Sequence, residues 1–113
     1  MAGTVIIPWY ATGLRADAFE RELEPIAAAA LRYGATSYAI YRSRDDRYKF
    51  QQLAEFDDRL RWEGYWSGPE MTRFRVTTSS WYQVPVTYVW HDVVVEGTGP
   101  SNGAGNGDTA DAA

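Results

Sequence analysis

Residues Thr4 to Tyr10 (TVIIPWY) form an unbroken apolar, β-branched and aromatic run that ends at Ala-Thr-Gly, the composition of a strand closed by a turn. Pro8 lies within it and has no N–H, which predicts an edge position or a bulge. From Ala16 to Tyr33 the apolar residues Phe19, Leu23, Ile26, Ala27, Ala30 and Leu31 recur every three or four positions. Asp17, Glu20, Arg21, Glu22 and Glu24 fall on the other side, so the spacing predicts an amphipathic helix. Pro25 cannot donate to the carbonyl of Arg21, which predicts a kink or a late helix start. Gly34 stands where a left-handed cap belongs.

Two further strands, Thr36 to Ser43 and Tyr48 to Phe56, flank a turn around Arg44, Asp45 and Asp46 and read as a hairpin. Asp57 is placed to cap a short helix carrying Leu60, Trp62, Tyr65 and Trp66. Ser67-Gly-Pro-Glu70 has the serine-to-glutamate spacing of a capping box, with proline in the tolerated first turn, and opens a helix through Met71, Phe74 and Thr78. Val84 to Val95 (VPVTYVWHDVVV) reads as a last, long strand.

The order is strand, helix, strand, strand, helices, strand. It predicts an α+β fold: a ferredoxin-like β-α-β-β-α-β antiparallel sheet with helices on one face. In the last strand Val84, Val86, Tyr88, Trp90 and Val94 alternate against Val89, Val93 and Val95, so both faces are apolar. A sheet with one solvated face alternates apolar with polar instead. One layer of helices covers one face only, and a second copy packed back to back is the expected cover for the other. After Gly97 the residues are Gly, Ser, Asn, Pro, Thr, Asp and Ala, which bury too little to offset their ordering entropy. The domain is therefore expected over 1–96, with a disordered tail over 97–113.

Composition narrows the function classes. With 113 residues the chain holds one domain, and five Trp and eight Tyr are many for that size. The net charge of −4 argues against a nucleic-acid groove. The strongest basic patch, Arg42, Arg44, Arg47 and Lys49, is interrupted by Asp45 and Asp46 and reads as a solvated hairpin tip. Cysteine is absent, which removes disulfides, thiolate nucleophiles and Cys-ligated metals. No stretch approaches the ~20 apolar residues of a membrane span, and the start of the chain lacks the features of a signal peptide, so a cytoplasmic location without a membrane partner is expected.

Between Tyr38 and Phe74, YAIYRSRDDRYKFQQLAEFDDRLRWEGYWSGPEMTRF resembles the dimeric α/β-barrel superfamily that contains the antibiotic biosynthesis monooxygenases. The likeness lies in a strand ending near YRSRDD, a strand ending in EFDD, an aromatic-rich helix and the SGPEMTRF segment that opens the next helix. It implies a homodimer whose two sheets form a barrel, with a pocket in each subunit between sheet and helices. Members of that superfamily oxidise polyphenolic rings without metal or flavin, degrade heme, or decompose or isomerise small molecules. The heme-degrading branch uses an asparagine on the first strand, a tryptophan on the second helix and a histidine after it. Here the first strand has no Asn and no His closely follows Trp66, so that motif is not carried. The resemblance implies binding, and oxidation or rearrangement, of a hydrophobic or aromatic small molecule with no bound cofactor.

Candidate residues follow from chemistry. His91, the one histidine, carries an imidazole able to accept and return a proton and is a candidate base; the alternative is a strand-end histidine at the dimer seam. Its alternation with Trp90 places it on the face opposite Tyr88 and Trp90. Tyr38 and Arg42 share a face of the second strand and are candidates for holding a phenolate or carboxylate; the alternative is cross-strand packing with Arg42 in solvent. Trp62, Tyr65, Trp66, Phe74, Tyr88 and Trp90, with Trp81 and Tyr82 beside them, supply flat walls for a planar ligand or else enlarge the core. With one His and no Cys, no metal site is expected. The competing functional reading is a non-catalytic small-molecule-binding or assembly module.

Overall fold

The computed structural model describes residues 2–100; most of the expected tail, 101–113, lies outside them. Four antiparallel strands, β1 (Gly3–Tyr10), β2 (Ala35–Arg42), β3 (Lys49–Phe56) and β4 (Val89–Asp92), form one sheet in the order β2-β3-β1-β4. Three α-helices, α1 (Ala16–Ala28), α2 (Arg59–Trp66) and α3 (Pro69–Thr77), pack on one face. The expected α+β arrangement is thus present in its expected order.

The core lies between sheet and helices. Val5, Ile7 and Trp9 of β1 and Phe50, Gln52, Ala54 and Phe56 of β3 are buried at alternate positions and share that face. Helix α1 meets them with Phe19, Leu23 and Ala27, one residue per turn along a single stripe. Burying a Phe or Leu side chain contributes about 1.5–3 kcal/mol, so this stripe is what holds α1 to the sheet. Removing the Phe19 ring, which contacts Trp9, Phe50, Phe74 and Tyr82, would break four aromatic contacts together.

Several local expectations are corrected. Helix α1 starts at Ala16, well before Pro25, and runs through the proline to Ala28 before tightening into a 3-10 segment, Ala29–Tyr33. Gly34 then takes φ +98, as the cap requires, and a Cβ there would crowd the Arg61 side chain. The cap of α2 is Asp58, whose carboxylate accepts the Arg61 N–H at 2.9 Å, and not Asp57. Ser67 closes α2, while Gly68 precedes α3 without a side-chain cap, so the capping box does not form. A Cβ on Gly68 would stand 2.7 Å from the Tyr33 hydroxyl, which leaves no room for a larger residue at this corner.

Pro8 forms no bulge and lies in an interior strand, and it also explains why β4 is short. The Ala11 N–H donates to the Tyr48 carbonyl, and the Tyr10 carbonyl accepts from Gln83 on the opposite side. Even-numbered residues of β1 therefore face β4. Thr4 and Ile6 pair with His91 and Val89, and the next position, Pro8, has no N–H to offer. The ladder stops there. Residues 84–88 and 93–95, expected to be strand, join no ladder; before them the chain meets the end of β1 through the Gln83 N–H on the Tyr10 carbonyl and the bridge between Tyr82 and Ala11.

Among the described residues, nothing packs over the other face of the sheet. It carries Thr4, Ile6, Leu53, Glu55, Ala39, Tyr41, Val89 and His91 by register. Beyond β4, Val94 and Val95 are 92% and 86% exposed.

Candidate functional site

The aromatic residues of the helical layer form one continuous cluster. Trp62 and Tyr65 of α2 are buried, while Trp66 and Trp90 are half-buried and Tyr88 is 37% exposed, so the cluster runs from the core to the surface. Trp66 lies 5.4 Å from Trp62 and 4.8 Å from Tyr88, centroid to centroid, and Trp9 links them to Phe74 at 5.7 Å. Trp90 crosses Gly3 so closely that a Cβ there would fall 2.3 Å from the indole. Trp62, Tyr65, Trp66, Phe74 and Tyr88 are thus joined through ring contacts, Phe74 by way of Trp9, and Trp90 lies on the same side of the sheet, over Gly3.

A polar chain runs through this layer. The Trp9 indole N–H donates to Gln52 Oε1 at 2.9 Å, Gln52 Nε2 donates to the Tyr65 hydroxyl at 3.0 Å, and that hydroxyl donates to the Ile26 carbonyl at 2.5 Å. Gln52 is fully buried. Burial holds the Tyr65 phenol well above the ordinary phenol range, against the opposing effect of the Gln52 hydrogen bond, so it stays protonated and donates. Sequence reasoning missed Gln52, whose signal was an uncharged polar residue at an inward position of β3.

Arg75 of α3 was also missed. Its guanidinium carbon lies 4.2 Å from the centre of the Trp66 ring, and Nη2 donates to the Trp66 carbonyl at 2.9 Å. At the other end of α3, Glu70 accepts from the Tyr33 hydroxyl and pairs with Arg32 at 2.9 Å. These two donors hold the Glu70 carboxyl down at about 2, the Tyr33 bond being the larger cause. A depression of about 260 Å³ beside this corner is lined by Pro25, Ile26, Ala29 and Phe74 and rimmed by Arg32 and Glu70.

The three candidate catalytic residues are not brought together. Tyr38 and Arg42 lie on the helix side of β2, opposite Ala54 and Phe50. Arg42 is engaged: Nη1 pairs with Asp17 at 2.9 Å and Glu20 at 2.8 Å, and its guanidinium lies over Phe50. It pins α1 to β2 and does not reach free into solvent. Tyr38 is 41% exposed and away from the aromatic cluster's contacts. His91 pairs with Thr4 on the uncovered face, at a depression of about 390 Å³ lined by Thr4, Glu55 and Asp92–Glu96.

No family model and no curated protein matches this chain. Solved structures do. Rv0793 from Mycobacterium tuberculosis superposes with a TM-score of 0.75 at 16% identity, covering 87% of this chain and 100% of that one. An antibiotic biosynthesis monooxygenase gives 0.74 at 17% identity, covering 84% and 100%. A variant of SnoaB, a cofactor-independent oxygenase from Streptomyces nogalater, gives 0.73 at 14% identity, covering 84% and 95%. At these identities the likeness concerns architecture, and on it the chain has the ferredoxin-like α+β fold of the antibiotic biosynthesis monooxygenase-like structures.

Proposed function

We propose that the protein is a cytoplasmic homodimer that binds a hydrophobic or aromatic small molecule against the Trp62, Tyr65, Trp66, Phe74, Tyr88 and Trp90 wall. The same reading has it oxidise or rearrange that molecule without a bound cofactor. One observation carries the dimer: the described helices cover one face of the sheet, while apolar side chains also stand on the other. Ile6, Leu53, Tyr41 and Val89 supply the uncovered side, and Gln51, on that side by register, has a buried side-chain oxygen with no donor among the described residues. A second sheet would exclude water from the first group and bring a donor to the second.

Support for ligand binding comes from the reach of the aromatic cluster to the surface at Tyr88 and Trp66, where a flat ring has indole faces to stack on. Support for oxidation comes from the shared fold with the oxygenase from Streptomyces nogalater. Close packing among Trp9, Trp62, Trp66 and Phe74 favours the second reading, a non-catalytic binding or assembly module.

Native mass spectrometry tests both parts, since it reports subunit number and retained mass together. A dimer bearing a defined extra mass supports binding, and a monomer removes the argument from the uncovered face. Leu53→Asp should convert the dimer to monomer. Oxygen uptake on adding a polyphenolic anthrone, compared between the wild type, His91→Ala and Arg42→Ala, separates the oxidising reading from the non-catalytic one.

A further inference from the structure

The two half-buried arginines of the domain differ in one respect. Arg42 faces two carboxylates, whereas Arg75 pairs with no carboxylate among the described residues. Its Nε is buried and has no hydrogen-bond partner among those residues either. A guanidinium removed from water keeps its charge, and each donor left unmatched there is costly. The Trp66 ring and the Trp66 carbonyl meet part of that demand, on one ring face and one nitrogen. What remains is an Nε donor that needs an oxygen acceptor, and a positive charge that favours an anionic one.

We infer that Arg75 is the specificity residue of the aromatic wall, selecting flat aromatic ligands that carry an ionised oxygen, a carboxylate or phenolate, over their neutral counterparts. This rests on the proposed binding at that wall. Trp66 touches both partners of the arrangement, with Arg75 at 4.2 Å and Tyr88 at 4.8 Å from its ring. Tyr88 belongs to the segment 84–88 that joins no ladder, so its ring can leave Trp66 without breaking sheet hydrogen bonds. A planar ligand then takes the place of the Tyr88 ring against the indole and turns its charged oxygen toward Arg75. Guanidinium suits this role because its planar fork offers paired donors to a carboxylate.

Isothermal titration of the intact protein with 2-naphthoate and with methyl 2-naphthoate separates the possibilities. The two probes share the ring and differ in charge. We expect the wild type to bind the carboxylate about tenfold or more tightly than the ester, in line with a charge-assisted hydrogen bond. Arg75→Gln should lose that preference while keeping its affinity for the ester, and Arg75→Lys should retain only part of it. Equal binding of the two probes by the wild type overturns the inference and leaves the aromatic wall standing; that comparison requires no variant to fold. Binding of neither probe overturns both. An undiminished preference in Arg75→Gln assigns the anion to another residue and overturns the role of Arg75.

Discussion

Replacing Gln52 by Leu should destabilise the domain by about 2 kcal/mol, although leucine suits a β-strand and a buried site. The substitution leaves the Trp9 indole N–H buried with no acceptor, and an orphaned buried donor costs roughly 1–3 kcal/mol. The Tyr65 hydroxyl loses the bond it accepts but keeps the one it donates to Ile26, so little is added there. For a domain of this size such a loss lowers the melting temperature by roughly 10–15 °C. Tyr65→Phe removes both bonds of that hydroxyl and should cost a similar amount. The double variant is the informative one. The Gln52–Tyr65 bond is absent from each single variant, so the double should cost about 1 kcal/mol less than the sum of the two. Urea unfolding followed by tryptophan fluorescence at fixed protein concentration measures all three, the concentration being held because the stability of the proposed dimer would depend on it. A Gln52→Leu variant as stable as the wild type, or strictly additive losses, would refute the view that the polar chain acts as a unit.

Two other perturbations follow from the structure. The Glu70 carboxyl titrates in the folded state at about 2, below its usual 4.5, so its stabilising contribution is present above about pH 4.5 and disappears as the pH falls toward 2. Glu70→Gln should therefore be less stable than the wild type at pH 7, with the gap closing by pH 2 to 3; a gap constant over that range in urea titrations would sink the assignment. Leu14 holds φ +59 while 95% exposed, so it bears backbone strain and gains nothing from burial. Leu14→Asn should relieve about 0.5–1 kcal/mol, since Asn tolerates the left-handed region, and a melting temperature that fails to rise would show that the loop holds Leu14 for another reason.

The features legible in the sequence were those that repeat locally. Alternation in β1 and β3, the stripe on α1 and the glycine at position 34 each report on neighbours a few residues away, and all appear in the fold. The last strand was over-extended because its own residues favour β structure throughout. Pro8 ends it on one side and the start of β1 at Gly3, opposite Asp92, on the other, both set by a register that local pattern does not encode. The caps at Asp57 and Ser67 were each misplaced by one residue, because the geometry that selects Asp58 and Gly68 depends on how α2 leaves β3 and meets Tyr33. For the site, an excess of aromatic residues was visible in composition, while the face of the last strand that the helices cover was not. Arg75 was not, since an unpaired arginine is recognised only after every neighbouring carboxylate has been placed. His91 and Arg42 drew notice for their chemistry, and the fold separates them onto opposite faces.

The pairing of Gly3 with Asp92 joins the first strand to the last. Contacts that distant along the chain close the largest loop the domain contains and form slowly for that reason. On a growing polypeptide β1, β3 and the helices are complete before β4 has been synthesised. Through that interval the outer edge of β1 lacks its partner, and the indoles of Trp62 and Trp66 lack the cover of Tyr88. An open strand edge beside bare aromatic rings is the combination that draws unfinished chains together. The missing donor at Pro8 leaves a gap in that edge where a foreign strand would need a hydrogen bond, so the same proline that shortens β4 also guards the nascent chain against mispairing.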